Sequence, residues 1–538
     1  MLQALSRAGQ ADVILLTVWF ALNLVLLCLH EPWRDEAEAF MIAREYGLGE
    51  IWRQLSSEGQ PLLWFLILLV PAKLGVPFRL AGLISLFVCA AAAARFLRVS
   101  PLPKPLTWII LFSPLFTYYN PVISRSYCIA LLLCVHLIGI RRSRRPRPVA
   151  LGVAAALLFQ THLMLSGVAL GCTLELLAGC IAGRAKRRLP PDSPGDLPGL
   201  MRRPADRQYL AGFLIALSGL ILLILEMLPT FHVLIESVQY RQLYSFREQG
   251  MLVFRTLYQF RDARVSPFIV FLVFLLPAML TVPQVFALPV AMRSDRGEAA
   301  GRKRFRGIRP AGWLLTTWLG IAVYFYIAIY IRVANHMQLS LCLMMILLVA
   351  VCTAPRFRYP GYIFVFLCVL GMPRLFISAF ADLSGAYSQS SAMAEYIREE
   401  IPEDAVITVK SDYYYTPVAA RFRSLRRAFR KAEAFGGAAI PEGEKEDISG
   451  ITEIPSGGKT PVFLDLGTGG RYVNYVWDHN YPEPDLEAAK KKSAGRPVYY
   501  LTAYAYDLLA SEEEMELVFA ADGDTVTDER YYLYLVKQ

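Results

Sequence analysis

Long apolar segments alternate with short polar segments along the first 380 residues of the chain. Apolar runs of about 17–25 residues are typical of transmembrane helices. The candidate spans are 12–30, 61–76, 79–97, 105–119, 125–140, 149–160, 163–183, 209–231, 266–291, 311–331, 337–353 and 359–380. This pattern predicts a polytopic α-helical membrane protein.

The basic segments between these runs predict how the chain is oriented, because cytoplasmic loops carry an excess of Lys and Arg. The basic segments are Arg141–Arg147, Arg184–Arg207 and Arg293–Arg309, with a weaker pair at Arg356 and Arg358. All of them fall on one side only if 61–76 does not cross the membrane. We therefore predict about eleven transmembrane helices, with Pro61–Pro77 lying along the interface or dipping in and out. The loop after the first span then lies on the outer face.

The same loop is predicted to contain a second interfacial helix, over residues 37–55. Its apolar positions Phe40, Ile42 and Tyr46 alternate with charged positions in the same stretch. An amphipathic helix of this kind is suited to the boundary between lipid headgroups and acyl chains.

The composition changes after about Ala379, and the apolar runs shorten to strand length. The predicted strands are Ala405–Val409, Pro461–Leu466, Pro497–Thr502, Leu517–Ala520 and Tyr531–Val536, with helices over Ser391–Glu400 and Asp485–Lys492. We therefore predict two domains: a transmembrane domain over 1–380 and a small α/β domain over 381–538 on the outer face.

Composition agrees with a membrane protein and argues against a nucleic-acid-binding protein. The 538 residues are 55% hydrophobic with a mean hydropathy of +0.40. The net charge of +10 comes mainly from the short basic segments, which is the distribution expected of cytoplasmic anchoring. The nine cysteines all lie in apolar segments without CxxC or zinc spacing, so we expect free thiols. The first apolar run lacks a small-residue cleavage site and is predicted to be a retained span.

The stretch Glu31–Glu38, directly after the first apolar run, carries the most conspicuous charges. Ionisable residues at membrane level are candidate functional residues. Asp35 and Glu36 fit a general base or a metal ligand, with Mg²⁺ or Mn²⁺ as the ions that suit such acids. They fit equally well a solvated turn that caps the next helix, since acids are favoured in a first helical turn.

Other polar residues are predicted at outer ends of spans and lie far apart in sequence. They are Arg34, Glu58, Gln60, Arg125, Tyr127, His162, Arg332, His336 and the arginines between Arg241 and Arg264. Guanidinium groups suit phosphate because of their planar, multi-donor geometry. Contacts with lipid headgroups would explain the arginines, and a purely structural role would explain His162. The row Tyr413–Tyr415 offers a surface for stacking on sugar, although strand aromatics are commoner.

The first outer loop resembles that of the GT-C superfamily of membrane glycosyltransferases, near the aminoarabinose-transferase and protein O-mannosyltransferase branches. The resemblance rests on Trp33–Ala37 (WRDEA), on Glu58–Trp64 (EGQPLLW) and on the span start Arg125–Tyr127 (RSY), and it covers about residues 1–380. The chain departs from the family at Gln60, where relatives often carry Lys or His. It also lacks the acidic residue that many relatives have in the second outer loop.

The resemblance implies a polyprenyl-phosphate-linked sugar donor and an inverting transfer on the outer face of the membrane. By position, Asp35 corresponds to the catalytic base, with Glu36 as a helper. The resemblance places Gln60 and the Arg125 region near donor or acceptor phosphate. From their residue types and predicted positions, Arg34, Tyr127, Arg332 and His336 are also expected to bind donor phosphate, with Glu58 and His162 near the acceptor or in support. The acceptor would be the hydroxyl of a glycan, a lipid or a protein, in the cell envelope of a bacterium.

Two other functions stay open from the sequence alone. A transporter or flippase of lipid-linked glycans would tend to show internal repeats and charges at mid-membrane, and Glu175 and Glu226 are the main charges within apolar runs. A glycan polymerase or ligase that uses lipid-diphosphate donors is the other. In each case membrane lipids surround the protein, and no nucleic acid is expected as a partner.

Overall fold

The structure is a computed structural model, and most of the chain is described by it. The described residues are 9–58, 60–143, 145–185, 204–236, 300–331, 337–354, 358–385, 387–409, 412–423, 426–429, 452–455, 460–465, 486–503, 515–523 and 529–537. The predicted span over 266–291, the arginines between Arg241 and Arg264, and the candidate residues Arg332 and His336 lie outside these ranges.

Contacts divide the chain into two compact units. The helical unit comprises Met1–Val25, Ser85–Glu226 and Gln242–Phe376. The mixed unit comprises Leu26–Ile84, Met227–Arg241 and Ile377–Gln538. The mixed unit thus contains both the predicted first outer loop and the predicted C-terminal domain.

The described part of the first 400 residues is mainly helical. They are α1 Gln10–Leu29, α2 Arg34–Glu45, α3 Leu48–Glu58, α4 Leu63–Lys73, α5 Gly82–Val99, α6 Lys104–Leu111, α7 Tyr127–Arg142, α8 Pro148–Phe159, α9 Ser166–Ala185, α10 Pro204–Glu236, α11 Ala300–Ile331, α12 Met337–Thr353, α13 Arg358–Leu370, α14 Met372–Ser384 and α15 Ser390–Glu400. Short 3-10 turns at Phe78–Ala81 and Leu163–Leu165 precede α5 and α9.

Five helical stretches in the described residues are long and apolar enough to cross a membrane. They are Gln10–Leu29, Phe78–Val99, Leu163–Ile181, Asp206–Met227 and Tyr359–Leu383. The last of these consists of α13 and α14, which are separated next to Pro373, a residue without an N–H for the helical ladder. The helices indicate a membrane-embedded protein, whereas the predicted total of eleven spans stays a prediction.

An exposed apolar stripe on α1 also indicates a lipid environment. Its members are Ile14, Val18, Leu22, Val25 and Leu29, all more than 40% exposed. Their spacing of three or four residues places them on one side of the helix. Water would disfavour such a stripe, and the hydrocarbon of a bilayer would accept it.

Two of the predicted elements differ from the structure because of local breaks. The predicted span over 105–119 is helical only to Leu111, after which residues 112–126 form buried turns. Side chains satisfy this irregular backbone: Asn120 donates to the carbonyl of Leu115, and the N–H of Tyr118 donates to Asn23 Oδ1 at 2.9 Å. Irregular backbone at membrane depth is tolerated when it is buried in protein and satisfied in this way.

The predicted interfacial helix over 37–55 is two helices. The first, α2, ends at Tyr46, whose extended backbone breaks the helix, and α3 begins after Gly47. The Glu50 carboxylate accepts a hydrogen bond from the Gly47 N–H at 2.7 Å, which is the reach-back half of a capping box. Residues Glu36 to Ala43 of α2 are all buried, so α2 is an interior helix. Only α3 keeps exposed apolar side chains, at Leu48 and Trp52.

The helix α4, Leu63–Lys73, lies where a non-crossing segment is predicted. Its 11 residues extend about 16 Å at 1.5 Å per residue, which is about half the hydrocarbon thickness of a bilayer. Trp64, Phe65 and Leu68 are buried against protein. The length of α4 suits the predicted segment that does not cross the membrane.

The core of the helical unit depends on close approach of helix backbones. A Cβ added at Gly152 of α8 would overlap the carbonyl oxygen of Gly212 in α10. A Cβ at Gly167 of α9 would overlap the carbonyl oxygen of Leu319 in α11. Small residues allow this approach between membrane helices, where dispersion contacts replace the hydrophobic effect.

The polar C-terminal residues of the mixed unit form a six-stranded sheet. Its strands are β1 Val406–Val409, β2 Arg426–Phe429, β3 Val462–Asp465, β4 Val498–Thr502, β5 Met515–Ala521 and β6 Tyr531–Val536, in the order β2-β3-β1-β4-β6-β5. The first four are parallel, and β6 is antiparallel to β4 and β5. Helices α16 Asp412–Ala419 and α17 Leu486–Ser493 pack against β1 and β4.

All five predicted strand runs coincide with strands, and the two predicted helices coincide with α15 and α17. Strands β1, β3 and β4 are buried along their whole length, as is usual for parallel strands, so they appear as continuous apolar runs. The row Tyr413–Tyr415 belongs to α16, and Tyr415 is fully buried with its ring stacked on Phe463 at 5.4 Å. Tyr415 is therefore a core residue.

Candidate functional site

The candidate base Asp35 lies in the first turn of α2, next to the end of α1. Its side chain is 14% exposed, and its Oδ1 lies 3.5 Å from Nη2 of Arg34, whose side chain is 19% exposed. The Arg34 guanidinium in turn lies over the Trp33 ring, 5.5 Å from its centroid. Acidic side chains are favoured in a first helical turn, where they interact with the partial positive charge of the helix N-terminus.

Glu36 faces the protein interior. Its side chain is buried, and Oε2 accepts a hydrogen bond from the Trp33 N–H at 3.3 Å, which caps the first turn of α2. The same oxygen lies 3.0 Å from Nε2 of His30. These contacts give Glu36 a part in fixing the turn that presents Asp35.

His30 joins this turn to α14. Its ring is fully buried, with Nε2 on Glu36 and Nδ1 2.8 Å from Oδ2 of Asp382. Burial by itself lowers the pKa of His30, but the charges and hydrogen bonds of Glu36 and Asp382 raise it to about 9. His30 is therefore a buried imidazolium at neutral pH, and Tyr387 packs against it with a ring-centroid distance of 4.8 Å.

The His30 cluster, defined as His30, Glu36 and Asp382, is an ion-pair arrangement. Its two carboxylates lie on opposite ring nitrogens of one imidazole, so the three side chains do not converge on a common point. Among the residues that the structure describes, no group of three or more His, Cys, Asp or Glu side chains is arranged to hold a metal ion. The divalent cation suggested for Asp35 and Glu36 stays a prediction.

Three further hydrogen bonds connect residues at the start of α2 to segments beyond residue 390. The Arg34 N–H donates to Oε1 of Glu529 at 3.1 Å. The Glu31 carboxylate accepts from Nη2 of Arg421 at 2.9 Å and from the Ser391 N–H at 2.7 Å. Burial raises the pKa of Glu529, and the positive charge of Arg34 acts in the opposite direction.

A second group of predicted site residues comes together within the helical unit. The guanidinium of Arg125 lies 5.8 Å from the centroid of the Tyr127 ring, and the Tyr127 hydroxyl lies 3.2 Å from Nε2 of His162. Nδ1 of His162 accepts from the Met164 N–H at 3.2 Å, so in a neutral ring Nε2 carries the proton and donates to Tyr127. The structure thus brings Arg125, Tyr127 and His162 together, whereas their roles at donor and acceptor stay predictions.

The loop before Arg125 contains an unusual backbone conformation. Tyr118 has φ of 68°, in the left-handed region that large side chains rarely adopt, and its side chain is fully buried. Its N–H is held by Asn23 Oδ1, and its ring makes an edge contact with Tyr119 at 5.0 Å. Conformations of this kind persist only where surrounding contacts fix them, and they concentrate at functional sites.

Two other predicted site residues, Glu58 and Gln60, lie where α3 leads into α4. Gln60 is half-buried in the bend before α4, and Glu58 is the last residue of α3. Arg34, Asp35, Glu36, Glu58 and Gln60 belong to the mixed unit, whereas Arg125, Tyr127 and His162 belong to the helical unit. The assigned roles of all eight residues stay predictions.

His30, Asp382, Arg421 and Glu529 are absent from the predicted site residues. His30 directly precedes the acidic stretch, so its position is the one signal that the sequence offers. The others lie about 350–500 residues further along the chain, and no local pattern connects them with α2.

No family model matches the chain, and neither a curated protein nor a solved structure matches it.

Proposed function

We propose that this chain is an inverting membrane glycosyltransferase that moves a sugar from a polyprenyl-phosphate donor to an acceptor hydroxyl. The observation that carries the proposal is the placement of Asp35: a partly exposed carboxylate beside a guanidinium, in a first helical turn fixed by buried ion pairs, directly after an apolar helix of membrane-spanning length. The resemblance of WRDEA and EGQPLLW to the GT-C loop supports the same assignment.

In the proposed reaction, Asp35 removes the proton of the acceptor hydroxyl as that oxygen attacks the anomeric carbon. The bond between the anomeric carbon and the phosphate oxygen breaks, and its electron pair leaves with polyprenyl phosphate. The products are the glycosylated acceptor, polyprenyl phosphate and protonated Asp35, so atoms and charge balance. Attack from the side opposite the leaving group inverts the anomeric configuration.

Arginines are the proposed stabilisers of the departing phosphate. Arg34 lies next to Asp35, and Arg125 lies over the ring of Tyr127. Preorganised positive charge aimed at a developing negative charge contributes about 10²–10³-fold to the rate, and a positioned general base about 10²–10⁴-fold. Gln60, Arg332, His336, Glu58 and His162 are proposed to contact donor or acceptor. Within the same proposal, Glu36 supports Asp35 through its bond to His30.

Buried acids in the helical unit have structural partners, which favours an enzyme over a transporter. Glu175 pairs with Arg141 at 2.6 Å, and Arg141 also donates to Thr316. Glu226 accepts from the Gln160 amide at 2.8 and 3.0 Å in the amide orientation that satisfies both groups. A transported ion or substrate would need such acids to change partners.

The test uses the full-length wild-type protein in proteoliposomes with labelled polyprenyl-phosphate mannose and polyprenyl-phosphate aminoarabinose as probes. Membranes of the native cells supply the acceptor. The proposal expects label in an acceptor, release of one polyprenyl phosphate for each sugar transferred, and an inverted anomeric centre. Movement of intact donor across the bilayer without release would show a transporter. Turnover of diphosphate-linked donors alone would show a polymerase or ligase.

A further inference from the structure

The start of α2 and the C-terminal part of the mixed unit cap each other's helices. An α-helix leaves its first N–H groups without intrahelical partners. The carboxylate of Glu529 accepts from one of these at α2, the Arg34 N–H. The carboxylate of Glu31 accepts from one at α15, the Ser391 N–H. Each segment therefore supplies the negative charge that the other segment's helix N-terminus attracts.

Arg421 holds the loop in this arrangement. Its Nη2 donates to Glu31 at 2.9 Å, to the carbonyl oxygen of Pro32 at 3.3 Å and to Oγ of Ser390 at 3.0 Å. The side chain is 12% exposed in its ion pair with Glu31. One buried guanidinium thus fixes both a side chain and a main-chain carbonyl of the residues that precede α2.

The other end of α2 is bound to the same part of the chain. Arg44 donates to the carbonyl oxygen of Phe422 at 2.8 Å, and Arg427 of β2 donates to Glu45 at 2.7 Å. Helix α16 packs against α2 between these ends. Both termini of the helix that carries Asp35 are therefore held by charged groups from residues beyond 420.

We propose that Arg421, Arg427 and Glu529, here termed the α2 clamp, are positioning residues for Asp35. They hold α2 at both ends, through Glu31 and the Arg34 N–H at its start and through Glu45 at its end, and so fix the direction in which the Asp35 carboxylate points. This gives the polar C-terminal part of the chain a role in the reaction. The clamp itself stands on the contacts above, whereas its effect on catalysis rests on the proposed function.

Position matters here because a general base acts over hydrogen-bond distances. A misplacement of about 1 Å can lower a rate about 10²-fold without removing any reacting group. A loosened clamp is therefore expected to lower kcat, because it displaces both Asp35 and Arg34, the residues proposed to act on the acceptor proton and on the departing phosphate.

The test compares Glu529→Leu, which removes the acceptor, with Glu529→Gln, which keeps a carbonyl at the same place. Glu487→Gln is the matched control, since Glu487 is an exposed residue of α17 paired with Lys490 at 2.8 Å. Hydrogen exchange of peptides spanning 30–37 is expected to be about 10-fold faster or more in Glu529→Leu, closer to wild type in Glu529→Gln, and unchanged in the control. In the transfer assay, kcat is expected to fall in the same order.

Hydrogen exchange tests the α2 clamp, and sugar transfer tests the proposed glycosyltransferase activity, so the two proposals can fail separately. Faster exchange at 30–37 in a chain that transfers no sugar would retain the clamp and reject the proposed function. Unchanged exchange in a folded Glu529→Leu protein would overturn the clamp. Should Glu529→Leu not fold, Arg421→Met takes its place, because it removes the guanidinium that donates to Glu31 and to the Pro32 carbonyl. Wild-type exchange at 30–37 in a folded Arg421→Met protein would equally overturn the clamp.

Discussion

At the scale of single residues, Asp35 and His30 differ in how far their charged side chains are exposed. Asp35 keeps a partly exposed carboxylate beside Arg34. His30 is fully enclosed, and its charge is retained only because two carboxylates face it. Removing one member of such a buried ion pair typically destabilises a protein by about 3–5 kcal/mol, because the partner charge stays buried. The same stretch of chain therefore contains one residue suited to chemistry and one suited to holding the fold.

The charge of His30 predicts a pH dependence of stability. Its pKa is raised from 6.5 to about 9 in the folded protein, so its contribution is fully present below pH 6.5. The contribution is lost as the pH rises through about 9, and it amounts to about 3 kcal/mol. Thermal unfolding of wild type and His30→Gln between pH 6 and 10 checks this.

The expected result is that wild type is the more stable protein at low pH and that the difference shrinks above about pH 7. Glu36 and Asp382 are the carboxylates that face the ring, and both remain in the variant. A difference that is constant across this range would show that His30 is neutral in the folded protein.

At the scale of elements, the sequence predicted those parts in which a local pattern decides the structure. Apolar runs of strand length locate β1, β3, β4, β5 and β6 correctly. Strand β2 has the sequence RRAF, without an apolar run, and its place in the sheet comes from pairing with β3. The helix α16 contains three tyrosines, a composition typical of strands, and it packs against α2, β1 and β4 with Tyr415 buried.

In the first turn of α2, which contains Asp35, local sequence again decides some features and tertiary contacts decide others. Glu36 at the third helical position is a local capping signal, visible in the sequence. The partners Asp382, Arg421 and Glu529 come from distant segments, so only the tertiary structure brings them to the turn. The sequence therefore predicted where the candidate base lies, whereas what holds it could not be predicted.

Because α8 and α10 are in close contact, adding one methyl group at Gly152 is expected to lower the stability of the protein. Gly152→Ala places a Cβ against the backbone of Gly212, which cannot rotate away, so we expect destabilisation of about 1–3 kcal/mol. Gly49→Ala in α3 is the control, because nothing lies within 4 Å of its Cβ, and it is expected to be neutral or stabilising by up to about 1 kcal/mol. Thermal unfolding in detergent compares the two. Equal stability of both variants would contradict the packing of α8 on α10.

At the scale of the whole molecule, the account combines a membrane-embedded helical protein with a parallel-rich sheet. The five long apolar helices found in the described part of the chain indicate the membrane, and the basic segments predict which side of it each loop faces. The mixed unit unites residues 26–84 with residues after 377, although the sequence shows them as separate regions. This union makes the C-terminal residues part of the surroundings of Asp35.

The predicted orientation gives a direct labelling experiment. Gly49→Cys in α3 and Arg145→Cys between α7 and α8 both introduce a thiol at an exposed position. In intact cells, a membrane-impermeant maleimide is expected to label the first above the wild-type background and the second only after permeabilisation. Labelling of Arg145→Cys alone in intact cells would reverse the orientation and place the acidic loop on the cytoplasmic side.

The central claim is that Asp35 is the base of a sugar transfer. Its most direct measurement is the rate of polyprenyl-phosphate release from polyprenyl-phosphate sugar in purified wild type, Asp35→Asn and Asp404→Asn, where Asp404 is an exposed turn residue. Asp35→Asn is expected to lower kcat by about 10²-fold or more with an intact fold and intact donor binding, because the amide cannot accept the proton. Asp404→Asn is expected to match wild type. Wild-type turnover by Asp35→Asn would contradict the account.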